Sequence, residues 1–301
     1  MTGALRIVCL LPAATEIVAA VGLADQIVGI SHECDQPASI RDRAVLTSSS
    51  IDSSKPSAEI DHTVRERARR ALTLYDLDLE ALAALRPTHI VTQDRCAACA
   101  IDLASVERVV GEMAGQRPQI LSLSPARLGD VFADMRRVAS ALGGDALVVD
   151  ELEARIGAIR GVLFGQPSKP VFAVEWCDPP MASGHWISDV VEAAGGDPVL
   201  AQPGEKARLL SADEIAAAEA DVAVFMPCGF DLDRASSETR NALSEPLWAG
   251  LAMPAVAVDA NRYFTRPGPG LVDSIEIMAE ILHPAVASFG HEGRGWRSLT
   301  S

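Results

Sequence analysis

The sequence is poor in aromatic residues and in positive charge. Phe, Trp and Tyr make up 4% of the 301 residues, and 26 Lys and Arg stand against 41 Asp and Glu. A net charge of −15 opposes binding to phosphate backbones and to anionic lipid surfaces, because both carry negative charge themselves. We therefore expect no nucleic-acid partner.

Long apolar runs and the common enzyme motifs are also missing. No stretch approaches the roughly 20 apolar residues that a membrane-spanning helix needs, so we expect no membrane insertion. There is no Gly-rich phosphate loop and no helical zinc motif. No candidate nucleophile has a general base at a convincing spacing, and we expect a protein that is not an enzyme.

The first residues and the cysteine content bear on the cellular compartment. A secretory signal has a basic start, an apolar run and a small-residue cleavage site, whereas Leu11 leads directly into Pro12 and a short helical pattern. Six cysteines in a chain with a large core do not indicate a disulfide scaffold. We expect a cytoplasmic location, with a periplasmic or other extracytoplasmic one as the alternative if an export signal has been removed.

The sequence does contain a regular alternation of short apolar runs and helical patterns. Strands are predicted at residues 5–10, 26–30, 89–92, 119–123, 171–175, 222–226 and 255–259. Helices are predicted at residues 15–21, 79–85, 105–114, 187–194, 212–218 and 271–282. This alternation is typical of parallel sheets covered by helices. It predicts an α/β fold of two Rossmann-like lobes with parallel sheets.

A helical stretch without strands separates the two halves. It runs over residues 126–164 and is interrupted near Gly143 and Gly144. We expect the two lobes to be joined by this long helix, with a ligand cleft between them. The predicted boundaries are an N-terminal lobe at 1–124, a connecting helical segment at 125–166, a C-terminal lobe at 167–287 and an irregular tail at 288–301.

Unusual side chains follow the predicted strands. Ligands of parallel α/β sheets bind outside the carboxyl ends of the strands, so these side chains are candidate ligand contacts. The candidates are His32, Glu33, Trp176, Asp178, His185, Trp186, Phe230, Tyr263 and Arg266.

The chemistry of these side chains favours a flat ligand with polar substituents. Four aromatic rings in an aromatic-poor chain offer large flat faces, although packing in the core beneath the loops is the alternative for them. The imidazoles of His32 and His185 could coordinate a metal, or bond a neighbouring residue. Arg266 could bind a carboxylate, an amide or a phosphate of the ligand, or pin its own glycine-rich loop.

Four cysteines also follow strands. Cys34, Cys96, Cys99 and Cys228 could supply up to four soft ligands to a metal ion or an iron–sulfur cluster. The alternative for Cys96 and Cys99 is that they are two small residues at the start of a helix.

Several of these loops resemble those of substrate-binding proteins of the cobalamin and metal-chelate class of ABC transporters. The similarity extends over residues 6–284 and is carried by the segments at 10–17, 31–37, 175–176, 178–180, 184–186, 194–197, 227–230 and 266–269. The resemblance implies two α/β lobes joined by one long helix, with cobalamin or a related corrinoid in the cleft for uptake or intracellular handling. For exported members it also implies delivery to an ABC transporter membrane component.

Two other functions fit the same residues. One is a metal-binding or iron–sulfur protein that uses the four cysteines. The other is a corrinoid-handling enzyme in which carboxylates near the thiols act as acid or base. These carboxylates are Glu33, Asp35, Asp94 and Asp178.

Overall fold

A computed structural model describes residues 4–70, 74–94, 103–112 and 117–299 of the chain. The strands in these ranges are β1 Ile7–Cys9, β2 Ile27–Ile30, β3 Ala44–Val45, β4 Thr47–Ser49, β5 Tyr75–Leu77, β6 His89–Gln93, β7 Gln119–Leu123, β8 Lys169–Trp176, β9 Met181–Ala182, β10 Gly196–Val199, β11 Arg208–Leu209, β12 Val222–Phe225, β13 Ala255–Val258 and β14 Trp296–Ser298. The helices are α1 Pro12–Ala20, α2 Ser57–Arg69, α3 Leu79–Leu85, α4 Leu103–Glu112, α5 Leu128–Leu142, α6 Leu147–Val162, α7 Ile187–Ala193, α8 Ala212–Ala216, α9 Leu232–Leu243 and α10 Leu271–Leu282.

The chain divides into two compact units. The first comprises Met1–Lys55, His62–Pro125 and Asp130–Asp150, and the second comprises Pro56–Asp61, Ala126–Gly129 and Glu151–Ser301. Each unit contains a sheet with a parallel centre and helices between its strands. The expected two-lobed α/β class is confirmed.

The sheet of the first unit has five parallel strands in the order β3-β2-β1-β6-β7. Strand β1 lies in the middle and is wholly buried, which explains why its residues are uniformly apolar. One face of the sheet packs on helices through a core that includes Val8, Leu82, Ile90 and Val106. Strands β4 and β5 form a separate antiparallel pair.

The sheet of the second unit is parallel in the middle and antiparallel at its margins. Strands β10, β8, β12 and β13 are parallel, whereas β9, β11 and β14 join antiparallel. The strand β8 is long, and its central residues Val171–Val174 are at most 1% exposed. Because β8, β12 and β13 run in the same direction, the loops that follow them emerge at one edge of the sheet.

The connecting segment forms two helices, whereas the resemblance implies one long helix. Helix α5 ends at Leu142 and Gly143 adopts a φ of +74°, a left-handed conformation that favours glycine. Asp145 lies two residues before α6, and its carboxylate accepts a hydrogen bond of 2.9 Å from the backbone N–H of Leu147, the first residue of that helix. The glycine pair thus interrupts the helix where the sequence predicted an interruption.

The end of the chain also differs from the expected irregular tail. Residues 296–298 form β14, which pairs antiparallel with β13 through Val256, Ala257 and Val258. The short segment lacks a strand-like apolar pattern because only its backbone is needed to extend the sheet. Among the helices of the described ranges, none combines the length and the apolar character needed to cross a bilayer.

Candidate functional site

The loops after β8, β12 and β13 of the second unit carry most of the candidate ligand contacts. Strand β12 pairs with both β8 and β13 in parallel register. Trp176, Cys228 and the turn Ala260–Phe264 therefore lie at the same edge of one sheet. That turn is a single π-helical turn, a form of helix that is frequent at functional sites.

Gly184 begins a loop that packs against the half-buried carboxylate of Glu175. Its backbone N–H donates a hydrogen bond of 3.0 Å to Glu175 Oε2 at the end of β8. Burial raises the pKa of Glu175, and the hydrogen bond from Gly184 opposes this rise. A Cβ at position 184 would lie 2.6 Å from the backbone oxygen of Glu205, so glycine is required here.

His185 is held in a backbone conformation that a non-glycine residue rarely adopts. Its φ is +54°, and its backbone N–H donates to Glu205 O at 2.6 Å. Its own carbonyl accepts a hydrogen bond of 3.1 Å from Gly204. The imidazole stacks on the Trp186 ring with centroids 5.6 Å apart. Strained residues that are fixed in this way are frequent at ligand sites.

Trp186 connects this loop to the turn after β13. Its indole Nε1 donates a hydrogen bond of 2.9 Å to the carbonyl of Phe264, and its side chain is half-buried. The turn is itself fixed, because Asp259 accepts a hydrogen bond of 2.8 Å from the backbone N–H of Arg262. The polar end of the indole is thus satisfied while part of the ring stays accessible.

Tyr263 lies on the same turn and is also half-buried. Its ring meets the edge of the His291 imidazole at a centroid distance of 6.0 Å and an interplanar angle of 75°. Its carbonyl accepts a hydrogen bond of 2.7 Å from Ser274 Oγ in α10. Helix α10 and the end of the chain therefore hold the backbone and the ring of this residue.

Phe230 belongs to the core and not to the accessible surface. Its ring is 3% exposed and packs against Ile60, Ala235 and Ala257. The Arg234 guanidinium covers it at 3.7 Å from the ring centroid. The structure agrees with the alternative of core packing for Phe230, and its contact with the ligand stays a prediction.

Trp176 stands above Phe230, with the two ring centroids 5.4 Å apart. The Trp176 ring is half-buried, and its Nε1 donates a hydrogen bond of 2.9 Å to the carbonyl of Asp178. Asp178 is exposed and precedes a cis proline, Pro179. Trp176 and Asp178 thus remain available at the edge of the sheet.

Arg266 is 5% exposed, and its Nη2 donates a hydrogen bond of 3.1 Å to Asn261 Oδ1. This hydrogen bond ties the start and the end of the loop after β13 together. The arrangement favours the role of pinning the loop over that of a clamp on ligand.

His32 and Glu33 follow β2 of the first unit and are both exposed. The Nδ1 of His32 lies 2.8 Å from Thr47 Oγ1, and partial desolvation of the imidazole lowers its pKa. The Tyr75 hydroxyl donates a hydrogen bond of 3.4 Å to Glu33 Oε1. Neighbouring strands thus orient both side chains of this loop.

The four candidate metal-ligating cysteines are only partly described. Cys34 is buried in the first unit and Cys228 is half-buried in the second, whereas Cys96 and Cys99 lie outside the described residues. Among the residues that are described, no group of three or more His, Cys, Asp and Glu could hold a metal ion. A metal or cluster shared by the four cysteines stays a prediction.

Two further features of the site were missed from the sequence. One is the carboxylate of Glu175 behind Gly184, and the other is the contact of His291 with Tyr263. The strand end before Trp176 was a usable signal for Glu175. No sequence signal connects His291 with a loop that lies 28 positions earlier.

Comparison with known proteins gives the family of the chain. A search of curated protein sequences found no match. A family model described as "Periplasmic binding protein" matches residues 7–263.

Solved structures match over nearly the whole chain. A periplasmic heme-binding protein from Pseudomonas aeruginosa is 15% identical, with a TM-score of 0.66 and 93% of each chain covered. A periplasmic vitamin B12-binding protein from Vibrio cholerae is 18% identical, with a TM-score of 0.63, covering 93% of this chain and 97% of the other. An ABC transporter substrate-binding protein from Listeria monocytogenes is 14% identical, with a TM-score of 0.69 and coverages of 93% and 99%.

These findings support the expected fold and correct the expected location. Family members are solute-binding proteins that work with ABC transporter membrane components, and they are not enzymes. The expectation of a cytoplasmic location is wrong, because the matching family is one of periplasmic proteins. With most of its length matched by the family model, the chain belongs to the periplasmic binding protein family.

Proposed function

We propose that the chain binds cobalamin or a related corrinoid and delivers it to the membrane component of an ABC transporter. The observation that carries the proposal is a set of rings held at the end of β8 and around the turn after β13 in the second unit. Trp176, Trp186 and Tyr263 are half-buried there, and the imidazole of His185 stacks on Trp186.

These rings suit a large flat ligand. A corrin is a broad macrocycle with amide side chains and a central cobalt, so it offers apolar area, hydrogen-bonding groups and a metal to one site. The half-buried indoles and the phenol supply flat apolar contact with little loss of conformational entropy. Asp178, which is exposed beside Trp176, supplies an acceptor for the amide groups of the ligand.

The site is also pre-organised. Trp176 and Trp186 each donate their indole N–H to a backbone carbonyl, and His185 is fixed through both of its backbone polar groups. Side chains that are already ordered lose little freedom when the ligand binds, which favours affinity. His32 and Glu33 of the first unit stay in the proposal as expected ligand contacts, because they follow a parallel strand and their segment resembles the family's.

Titration of the purified chain tests this function. We expect cobalamin and cobinamide to bind one to one in calorimetry, with a change in the visible spectrum of the corrinoid. Hemin is the comparison ligand, because one of the solved relatives is a heme-binding protein. No heat and no spectral change with any corrinoid at high micromolar concentration would overturn the proposal, and binding of hemin alone would replace the corrinoid with a heme.

The same purified protein distinguishes corrinoid binding from the alternative function, in which the cysteines bind a metal ion or an iron–sulfur cluster. An iron–sulfur cluster absorbs in the visible region before any ligand is added, and elemental analysis detects bound zinc or iron. Protein with Cys96→Ser and Cys99→Ser is the matched control for both measurements. A metal content that the double substitution abolishes would favour the metal-binding function instead.

A further inference from the structure

The last residues described form a tail, defined here as residues 288–299, that is anchored on one carboxylate. Glu280 of α10 is 5% exposed and accepts hydrogen bonds from the backbone N–H groups of Phe289, Gly290 and His291. It also accepts a hydrogen bond of 2.9 Å from Trp296 Nε1. Consecutive backbone N–H groups that converge in this way form an anion-binding nest, here occupied by a side chain of the same unit.

The charge state of Glu280 agrees with this anchoring. Burial acts to raise its pKa, but the hydrogen bonds from Trp296 and from the three backbone groups outweigh burial and lower it. The carboxylate is thus held in its charged form, which is the form that accepts several N–H groups at once.

The anchored tail extends the sheet at the strand that precedes the Tyr263 turn. Strand β14 pairs with β13, and Leu299 N donates a hydrogen bond of 2.9 Å to Ala255 O. Farther along, Asp259 N donates a hydrogen bond of 2.9 Å to Gly295 O. Asp259 in turn caps the π-helical turn, so the tail holds the residue that starts this turn.

The tail also reaches the ring of Tyr263 through His291. The His291 imidazole meets the Tyr263 ring on one side, and its Nε2 lies 2.9 Å from Glu276 Oε2 on the other. Glu276 is held as well, because its Oε1 accepts a hydrogen bond of 2.7 Å from Arg155. The imidazole is therefore held in place by Glu276 while it packs against the Tyr263 ring.

We propose that the tail positions the ligand-binding turn after β13 and that Glu280 is the positioning residue that holds the tail in place. The inference rests on the proposed function in that the turn carries Tyr263 and supplies the Phe264 carbonyl that anchors Trp186. The family match ends at residue 263, so the tail lies outside the matched part of the chain. If the tail loosens, Asp259 N loses its hydrogen-bond acceptor and Tyr263 loses its contact with His291. The rings of Tyr263 and Trp186, which we propose as ligand contacts, are then held less firmly.

Glu280→Gln tests whether Glu280 holds the tail, because glutamine has nearly the same side-chain shape as glutamate. The amide keeps one acceptor oxygen but places an NH2 group against backbone donors. The matched control is Glu292→Gln, which makes the same change at an exposed position in the same tail. Hydrogen exchange of the amides of residues 259–264 and 289–299 is measured for the full chain without ligand, and the cobalamin Kd is measured by calorimetry.

We expect Glu280→Gln to speed exchange in both segments by about tenfold or more, because hydrogen bonds to a charged group are lost. The cobalamin Kd should rise by roughly fivefold or more, as is typical of coupling between two sites. Glu292→Gln should leave exchange and Kd unchanged. The proposal is overturned if Glu280→Gln frees the tail while exchange at 259–264 and the Kd stay as in the parent chain.

A second variant keeps the test decisive if Glu280→Gln does not fold. His291→Ala retains every backbone hydrogen bond to Glu280 and removes the imidazole, with its contacts to Tyr263 and Glu276. It should leave tail exchange unchanged and raise the cobalamin Kd, and an unchanged Kd would refute the link through His291. If the parent chain binds no corrinoid, the proposed function fails, and exchange at 259–264 alone decides the role of the tail.

Discussion

Trp186 and Phe264 are joined by a hydrogen bond of 2.9 Å from the indole N–H to the backbone carbonyl. The bond connects the start of α7 with the turn after β13, although 78 positions separate the two residues in sequence. It satisfies the polar end of the indole and fixes the plane of the ring. Two of the three half-buried aromatic residues that we propose as ligand contacts, Trp186 and Tyr263, therefore depend on the same short turn.

Truncation of these two side chains should weaken ligand binding more than folding. We expect Trp186→Ala and Tyr263→Ala each to cost about 2 kcal/mol of corrinoid binding, because well-packed aromatic contacts dominate binding sites. Calorimetry gives the binding free energy and urea denaturation gives the free energy of unfolding.

Phe230→Ala is the matched control among the aromatic residues. Its ring is buried in the core, so its removal should lower the free energy of unfolding by about 3–5 kcal/mol. If the folded fraction of Phe230→Ala binds corrinoid as the parent chain does, the division between core and site residues holds. If Trp186→Ala and Tyr263→Ala both bind normally, these residues are not ligand contacts.

Gly184→Ala should destabilise the chain by about 1–3 kcal/mol, since the added methyl group would press against the backbone of Glu205 and Lys206. Gly157→Ala is the control, because a Cβ there meets nothing within 4 Å and lies on the exposed side of α6. The control should gain about 0.5–1 kcal/mol, as expected for glycine replaced within a helix. Equal unfolding free energies for the two variants would show that the 184 loop is not closely packed.

The regular elements with a clear apolar period could be predicted from the sequence. Helices α3 and α10 and strand β7 have the predicted bounds, because the two helices each have a buried apolar face and the strand contains the apolar residues Ile120, Leu121 and Leu123. The elements that the pattern missed are short or polar. Strands β9 and β11 have two residues each, and α9 is rich in Asp, Arg, Ser and Thr.

The candidate site was predictable to the level of the loop but not of the side chain. Trp186 follows β9, which pairs antiparallel with β8, so the rule for the ends of parallel strands does not cover it. That rule located only Trp176 and Tyr263. It could not separate Phe230 from them, because the burial of Phe230 depends on Ile60 and Ala257 from distant parts of the chain. The role of His291 depends on the tail returning to β13, for which the sequence has no pattern.

Thiol labelling should separate the cysteines of the second unit. Burial raises the pKa of Cys177 to about 12, and its side chain is 1% exposed, whereas Cys228 is half-buried at a loop. Because the thiolate is the reactive form, iodoacetamide should modify Cys228 at least about tenfold faster than Cys177 in the folded chain. Peptide mass spectrometry gives both rates, and labelling in guanidinium chloride is the control in which they should converge. Equal rates in the folded chain would contradict the burial of Cys177.

Glu175→Gln should make the chain more stable at high pH. Burial raises the pKa of Glu175 in the folded state, so the folded chain holds this proton over a pH range in which the unfolded chain has lost it. Stability from this group is therefore complete below the unfolded pKa of a carboxyl and declines as pH rises through the folded pKa. Glutamine is neutral at every pH and can still accept the hydrogen bond from Gly184, so the variant avoids this decline.

The free energy of unfolding is measured by urea denaturation at pH 4 and at pH 8 for the parent chain, Glu175→Gln and Glu192→Gln. Glu192 is exposed on α7, and substitutions at such positions change stability little. We expect the advantage of Glu175→Gln over the parent chain to be larger at pH 8 than at pH 4, with no such trend for Glu192→Gln. An advantage that is the same at both pH values, or larger at pH 4, would show that burial does not raise the pKa of Glu175.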